Sequence, residues 1–168
     1  MSVIDELIEN ARRYGSDPEA GYHASERTAK PGRHLAIVAC MDARLRLFAL
    51  LGLDEGDAHV IRNAGGVVTD DVVRSLAVSQ HLLETVDVMV IQHTDCGLVK
   101  STDAGFDSLM REHAGRRPSW GLRAIDDLAD SVRESIATIA DSPFLVHRGE
   151  VRGFIFDVAD GSLTEVPA

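Results

Sequence analysis

Three side chains of this 168-residue chain have the types and the spacing of metal ligands. Cys40 ends one apolar run of the sequence, and His93 and Cys96 end a second. One imidazole and two thiolates form a donor set that suits a four-coordinate zinc with one position left open. A lone cysteine is more often a small buried hydrophobe, and an isolated H-x-x-C is a weak signal. Taken together, however, the three residues predict one metal site.

Two charged residues, Asp42 and Arg44, follow Cys40 at alternating positions. In one interpretation they are a surface ion pair at the start of a helix, which would contribute little. In the other, Arg44 holds the Asp42 carboxylate through a charge-assisted fork. Asp42 would then stay off the metal and accept a hydrogen bond from metal-bound water. We favour the second interpretation, because the pair lies so close to a predicted ligand.

The segments around these residues alternate between strands and helices. Apolar runs predict four strands over 34–39, 58–63, 86–92 and 151–158, and an edge strand over 163–166 that follows a two-residue Asp160-Gly161 turn. Helical spacing predicts helices over 2–14, 44–51, 69–84, 104–113 and from about 122 to just before 143. The predicted fold class is therefore α/β, with a mostly parallel central sheet of about four strands plus an antiparallel edge strand, flanked by helices.

The predicted strands explain how distant residues could meet. Cys40, Asn63 and His93 each lie at the end of a predicted strand. In parallel sheets, sites form beyond the carboxyl ends of the strands, so these ends are expected to converge at one edge. We divide the chain into an N-terminal helix and polar arm over residues 1–33, and a metal-binding α/β domain over residues 34–168.

Composition limits the partners and the location of the protein. The chain has 17 Lys and Arg against 27 Asp and Glu, for a net charge of -10. Such a surface disfavours nucleic acid and anionic membranes as partners. Apolar runs are far shorter than the roughly 20 residues of a membrane span, and the N-terminus lacks a secretory signal pattern. We therefore predict a cytoplasmic protein, in which two cysteines favour ligation or catalysis over a disulfide.

Three blocks of this sequence, CMDAR (40–44), RNAG (62–65) and HTDCG (93–97), resemble the β-class carbonic anhydrases, particularly their short bacterial members. The resemblance implies one Zn²⁺ per chain, bound by Cys40, His93 and Cys96, with Asp42 and Arg44 as the catalytic dyad. It implies a lyase that reversibly hydrates carbon dioxide to bicarbonate and a proton through zinc-bound hydroxide. It also implies a homodimer, often a dimer of dimers (a homotetramer), whose N-terminal helix reaches over the partner.

A small uncharged substrate requires a narrow apolar pocket. The residues predicted to line it are Ala64, Gly65, Gly66, Val67 and Gly97. Gly65 and Gly66 could equally be glycines that a turn requires.

Two positions depart from the plant-type members of the family. Pro31 occupies the place of a glutamine that reaches into the partner's pocket, so this contact is expected to be absent. His59 occupies the place of a pocket phenylalanine. It is either an ordinary half-buried strand histidine, which we favour, or a proton carrier near the pocket, because imidazole titrates near neutral pH.

Other functions would fit parts of this pattern. Hydrolases of carbonyl sulfide or carbon disulfide resemble the β-class carbonic anhydrases and share their zinc ligands. A non-catalytic zinc or bicarbonate-sensing protein is a second alternative, although structural zinc sites fill all four positions with protein ligands, and only three are convincing unless Asp42 is the fourth. A dithiol redox protein is disfavoured because the sequence lacks a CxxC pair.

Overall fold

A five-stranded sheet organises the computed structural model, which describes residues 2–16, 28–146 and 148–167. The strands are β1 (Leu35–Cys40), β2 (Ala58–Asn63), β3 (Asp87–His93), β4 (Val151–Phe156) and β5 (Leu163–Val166). Their order is β2-β1-β3-β4-β5; β5 pairs antiparallel with β4, and the other pairs are parallel. The predicted α/β fold, with four parallel strands and an antiparallel edge strand, is confirmed.

Five α-helices accompany the sheet in the described part of the chain. They are α1 (Val3–Ser16), α2 (Leu47–Leu51), α3 (Asp70–Leu83), α4 (Asp103–Ala114) and α5 (Leu128–Ala140). The side chains of Thr69, Thr102 and Asp127 each accept a hydrogen bond from a backbone N–H in the first turn, at the start of α3, α4 and α5. None of the helices described is long and apolar enough to cross a membrane.

The two faces of the sheet are covered to different extents. On one face, α3 and α5 help to bury Val38, Val88 and Val90 completely or nearly so. On the other, a second cluster contains Ile37 and Ile91. Five of the partly buried apolar residues that pack against this second cluster lie on β1, β3, β4 and β5; they are Leu35, Met89, Phe154, Phe156 and Leu163. We call these five residues the open face.

The N-terminal helix α1 has an apolar stripe that is not buried. Val3, Ile4 and Leu7 are exposed by 72%, 68% and 58%, and no residue of α1 is buried. The helix predicted over 2–14 is confirmed, whereas most of the predicted arm, residues 17–27, lies outside the described residues. The division of the chain at residue 33 stays a prediction.

Two helices begin later than the sequence predicts. The helix expected from residue 44 begins at Leu47, because the Asp42 side chain accepts a hydrogen bond from the Arg44 N–H and holds a local turn there. The helix expected from about residue 122 begins at Leu128. Arg123 has a left-handed backbone (φ 59°), and Asp127 caps the helix. A left-handed residue interrupts a right-handed helix, so the periodic apolar positions before it belong to a loop.

The predicted two-residue hairpin is wrong. β4 ends at Phe156 and β5 begins at Leu163, so the connection runs over residues 157–162. The Asp157 side chain accepts from the Ala159 N–H at 2.8 Å, and the Asp160 side chain accepts from the Ser162 N–H at 2.8 Å. These local turns occupy the backbone groups that a tighter hairpin would have used.

Candidate metal centre

The predicted ligands meet at the carboxyl edge of the sheet. β1 and β3 are parallel neighbours, so Cys40 and His93, at their ends, lie at the same edge. The turn after β3 then returns Cys96 to the same place. The ligand atoms of the three residues all lie within 4.8 Å of one another, and all three side chains are buried. Both cysteines are free thiols, so the structure places this predicted set together.

The hydrogen bonding of His93 leaves one ring nitrogen without a partner. Its Nδ1 lies 2.8 Å from the carbonyl oxygen of Thr94, and because that oxygen can only accept, we assign the ring proton to Nδ1. The Nε2 atom is buried and has no hydrogen-bond partner among the described residues. A buried polar atom without a partner is costly, and this one has its lone pair beside two thiols. The arrangement fits a metal ion that takes imidazole and thiolate ligands, as Zn²⁺ does.

The environment of Cys96 also fits a bound metal ion. Burial, followed by the neighbouring Cys40, raises the pKa of the Cys96 thiol. Two adjacent buried thiolates would repel each other without a cation. A bound divalent ion would reverse this effect, since a coordinated thiol is deprotonated.

Asp42 and Arg44 form the predicted fork. Arg44 Nε donates to Asp42 Oδ1 at 3.0 Å and Arg44 Nη2 donates to Asp42 Oδ2 at 2.8 Å. These bonds hold the pKa of Asp42 well below its usual range and raise that of Arg44. Asp42 Oδ2 lies 3.8 Å from His93 Nε2. A carboxylate whose lowered pKa favours the ionised form, which can only accept hydrogen bonds, is therefore fixed beside the three candidate ligands.

Arg62 contributes a backbone contact that the sequence analysis did not assign. Its Nε donates to the Cys40 carbonyl oxygen at 2.9 Å, and its Nη2 donates to the Asp42 carbonyl oxygen at 2.6 Å. The arginine of the RNAG block thus fixes the backbone that carries both a candidate ligand and the carboxylate.

Asp95 and Lys100 extend the charged cluster. Asp95 Oδ2 accepts from Arg44 Nη1 at 2.8 Å, and Lys100 forms an ion pair with the other carboxylate oxygen. Lys100 and then Arg44 lower the pKa of Asp95 to about 2. The pairing of Asp95 with Arg44 depends on the adjacency of β1 and β3 in the sheet.

The turn after β2 packs directly on the strands that carry the ligands. Gly65 and Gly66 have φ of 80° and 66°. A Cβ on Gly66 would lie 2.7 Å from the backbone nitrogen of Cys40 and 2.9 Å from the carbonyl oxygen of Ile91. The backbone therefore requires glycine here, both for its conformation and for close approach. Val67, which follows this turn, is buried in the same cluster as Cys40. Contact of the predicted lining residues with substrate stays a prediction.

Two predicted site residues remain: Gly97 lies beside a candidate ligand, whereas His59 lies near the other end of the sheet. Gly97 follows Cys96 directly and is exposed. His59 lies near the start of β2, opposite Ala36 of β1. This is four residues before the carboxyl end of the strand, or about 13 Å at the rise of a β-strand. The structure therefore does not bring His59 together with the other predicted site residues.

A sequence model described as carbonic anhydrase matches residues 35–142 of this chain. This chain belongs to the β-carbonic anhydrase family. It is 46% identical over 166 residues to β-carbonic anhydrase 1 of Mycobacterium tuberculosis, with 99% of both chains covered. The resemblance found in the three sequence blocks is thus confirmed, and the chain is identified as an enzyme of the carbonic anhydrase family.

Comparison of structures supports the same assignment. This chain is similar to the crystal structure of a carbonic anhydrase from Streptococcus mutans. The TM-score is 0.89 and the sequence identity is 39%, over 99% of both chains. A carbon disulfide hydrolase of Acidithiobacillus thiooxidans is 30% identical over 152 residues, which cover 78% of this chain and 76% of that protein. Sequence similarity therefore extends to relatives that are named for different reactions.

Proposed function

We propose that this protein binds one Zn²⁺ through Cys40, His93 and Cys96 and reversibly hydrates carbon dioxide to bicarbonate and a proton. The observation that carries the proposal is the convergence of the three ligand atoms, which lie within 4.8 Å of one another. The unpartnered His93 Nε2 strengthens it, since this atom has no other described partner. The donor set leaves one position of a tetrahedral zinc for a reactant, as catalytic zinc sites do.

Zinc in this position would supply Lewis-acid activation of water for attack on carbon dioxide. The protein's part is to orient that water. Asp42 is ionised and can only accept a hydrogen bond, and Arg44 fixes the direction of both its oxygens. Arg62 fixes the backbone on which Asp42 lies. A water held by Asp42 would keep one lone pair aimed at the substrate, which lowers the entropic part of the barrier.

The surroundings suit a small uncharged substrate. Val67, Leu98 and Ile125 are buried in the same cluster as Cys40 and Cys96. The Gly65-Gly66 turn adds backbone without side chains, and Ala64 precedes it. We therefore keep Ala64, Gly65, Gly66, Val67 and Gly97 as the substrate-binding residues of this proposal.

We also propose a homodimer, which could assemble further into a dimer of dimers. The argument rests on two incompletely buried apolar surfaces: the stripe of α1 and the open face defined above. An amphipathic helix gains stability mainly by burying its apolar face, and α1 buries none of its residues in the single chain. Seating α1 on the open face of a second copy would cover both surfaces.

The assembly can be tested by sedimentation of the full-length protein. Leu7→Glu, in the middle of the stripe, is expected to shift the dimer toward monomer. Glu6→Gln, at an exposed position of the same helix, is the matched control and is expected to leave the dimer intact. A wild-type monomer, or a Leu7→Glu dimer of undiminished affinity, would contradict the proposed assembly.

A second candidate reaction is hydrolysis of carbon disulfide or carbonyl sulfide on the same site. It is favoured by the similarity to the carbon disulfide hydrolase of Acidithiobacillus thiooxidans. Identity is higher and coverage greater for the carbonic anhydrase of Mycobacterium tuberculosis, so we place carbon dioxide first.

The deciding experiment is stopped-flow hydration of carbon dioxide by the zinc-loaded protein, with carbonyl sulfide and carbon disulfide assayed alongside. Asp42→Asn keeps the size of the side chain but removes its charge, and turnover should collapse while zinc stays bound. Asp71→Asn is the control, because Asp71 is an exposed residue of α3 that pairs with Arg74. Fast turnover of a sulfur substrate with none of carbon dioxide would replace our first reaction with the second.

A further inference from the structure

The guanidinium of Arg44 is held from two sides. Its Nε and Nη2 atoms donate to the two oxygens of Asp42 at 3.0 and 2.8 Å. Its Nη1 donates to Asp95 Oδ2 at 2.8 Å, and Nη2 also lies 3.3 Å from the Asp95 carbonyl oxygen. Every nitrogen of the group thus has an acceptor, and the acceptors come from two different parts of the chain.

These two contacts differ in what they can fix. Asp42 lies two residues from Arg44 in the same turn after β1, so the two could move together. Asp95 lies after β3, between His93 and Cys96. The hydrogen bonds to Asp95 therefore tie the Arg44 guanidinium to the segment that carries two of the three candidate ligands.

Asp95 is itself held in place. Its backbone is left-handed, with φ of 60°, a conformation that Asp tolerates better than most residues. Lys100 pairs with the carboxylate oxygen that Arg44 does not use. The Lys100 N–H donates to the Gly97 carbonyl oxygen at 3.2 Å, so the turn after Cys96 places this cation. Asp42, Arg44, Asp95 and Lys100 thus form a row of alternating charges that runs from the candidate ligands to solvent.

We infer that Asp95 is a positioning residue of the reaction: it fixes the Arg44 guanidinium against the β3 end and, through it, the direction of the Asp42 carboxylate. This inference rests on the proposed function. Arg44 is a long side chain that is 48% exposed, and such side chains change rotamer readily unless they are held. Without Asp95, the fork would remain chemically intact but would be free to turn as a unit.

A purely structural role of Asp95 would predict a lower thermal midpoint when its side chain is removed, whereas a positioning role would not. Exposed ion pairs contribute little to stability, and the side chain of Asp95 is 45% exposed. Loss of the pair should therefore leave the thermal midpoint nearly unchanged. A rate effect without a stability effect would separate positioning from structural support.

Two substitutions respect the backbone at this position. Gly and Asn both adopt a left-handed conformation without large strain. Asp95→Gly removes the side-chain contact and leaves the longer one to the backbone carbonyl oxygen. We expect kcat/KM for carbon dioxide to fall about tenfold, with zinc content and thermal midpoint retained. Asp95→Asn keeps an acceptor oxygen for Arg44 and should show an intermediate loss. Asp71→Asn, which removes the charge of an exposed Asp–Arg pair on α3, is the matched control and should leave kcat/KM unchanged.

A coupling experiment asks whether Asp95 acts through Arg44. In an Arg44→Ala background, Asp95→Gly should cause no further loss, because the side chain that it would position is absent. The same fold loss in both backgrounds would overturn the inference. So would wild-type kcat/KM in Asp95→Gly, or a loss that is accompanied by a matching loss of zinc or of thermal stability.

A second measurement does not depend on activity. The signal of the Arg44 Nη1 group, which donates to Asp95 Oδ2 and which Arg44→Ala lacks, can be followed by ¹⁵N NMR of the full-length protein. We expect its exchange with solvent to quicken in Asp95→Gly and to stay unchanged in Asp71→Asn. If wild-type protein hydrated no carbon dioxide, the proposed function would fail, but this signal would still decide the role of Asp95. Unchanged exchange in Asp95→Gly would overturn it.

Discussion

Two histidines on the same sheet, His93 and His59, differ in how many of their ring nitrogens have a hydrogen-bond partner. His59, near the amino end of β2, has both ring nitrogens partnered: Nδ1 lies 2.7 Å from Ser79 Oγ and Nε2 lies 3.0 Å from the Ala29 carbonyl oxygen. Ser79 in turn lies 2.7 Å from Thr85 Oγ1. His93, at the carboxyl end of β3, has one nitrogen partnered and the other without a described partner. Residue type alone thus does not mark a ligand; unused bonding capacity does.

The largest expected effect concerns metal binding at His93 and its neighbours. Cys96→Ser replaces a thiolate with a similar but much poorer ligand, and we expect zinc affinity to fall more than about a hundredfold, beyond the range typical of outer-shell changes. His59→Gln should keep full zinc, because His59 has no part in the cluster. Metal content after dialysis against a weak chelator measures both. Full zinc occupancy in Cys96→Ser would remove Cys96 from the ligand set.

The next effect should appear in rate and leave metal content unchanged. Arg44→Ala frees the Asp42 carboxylate from its fork, and we expect kcat/KM to drop about a hundredfold, in the range of a lost orienting group in catalysis. Stopped-flow hydration assays, with zinc content determined on the same samples, make the comparison. Rates equal to wild type would exclude the dyad from the mechanism.

Much of this contrast was predictable from the sequence. Cys40 and His93 end apolar runs, and strands buried in a parallel sheet read as such runs, so their convergence followed from the fold class. The helix starts at Leu47 and Leu128 could not be predicted from periodicity. They depend on a side-chain bond within the 42–44 turn and on the left-handed backbone of Arg123.

Contacts between residues far apart in the chain could not be predicted from the sequence either. The bond from Arg44 to Asp95 joins residues 51 positions apart. The bond from His59 to Ser79 joins β2 to α3, and the sequence left open whether His59 was a proton carrier. Composition and spacing identify groups that could react, whereas only tertiary structure shows which of them already have partners.

A smaller effect, on stability, is expected at the other histidine. Ser79→Ala removes the hydroxyl that joins His59 to Thr85, and we expect the free energy of unfolding to fall by about 1–2 kcal/mol. Turnover of carbon dioxide should stay within about twofold of wild type. Urea unfolding and the hydration assay measure the two quantities.

His59→Gln gives the control for that comparison, since it alters the ring without touching the hydroxyl pair. A clear loss of turnover in His59→Gln that added imidazole restores would revive the proton-carrier interpretation. Unchanged stability in Ser79→Ala would instead show that this network contributes nothing to the fold.

The smallest effect is a dependence of stability on pH. The pKa of Asp95 is lowered to about 2 in the folded protein, mainly by Lys100 and then by Arg44. A carboxyl whose pKa falls on folding stabilises the fold above its unfolded pKa of about 3.9 and loses that contribution as the pH drops toward the folded value. Metal-free wild type should therefore lose slightly more stability between about pH 4 and pH 2 than metal-free Asp95→Asn. Urea unfolding across this range tests the difference; parallel curves would contradict it.

The placement of the candidate ligands on two parallel strands has a consequence for the order of folding. Cys40 ends β1. His93 ends β3, which comes after β2 and α3 along the chain, and Cys96 follows three residues later. Parallel pairing of β1 with β3 requires the intervening segment to fold across, and such long-range pairing forms slowly. A cation therefore meets all three candidate ligands only after this pairing has formed. The cation would bind fully once β1 and β3 lie side by side. We therefore expect zinc to slow the unfolding of the protein and to leave its refolding rate unchanged.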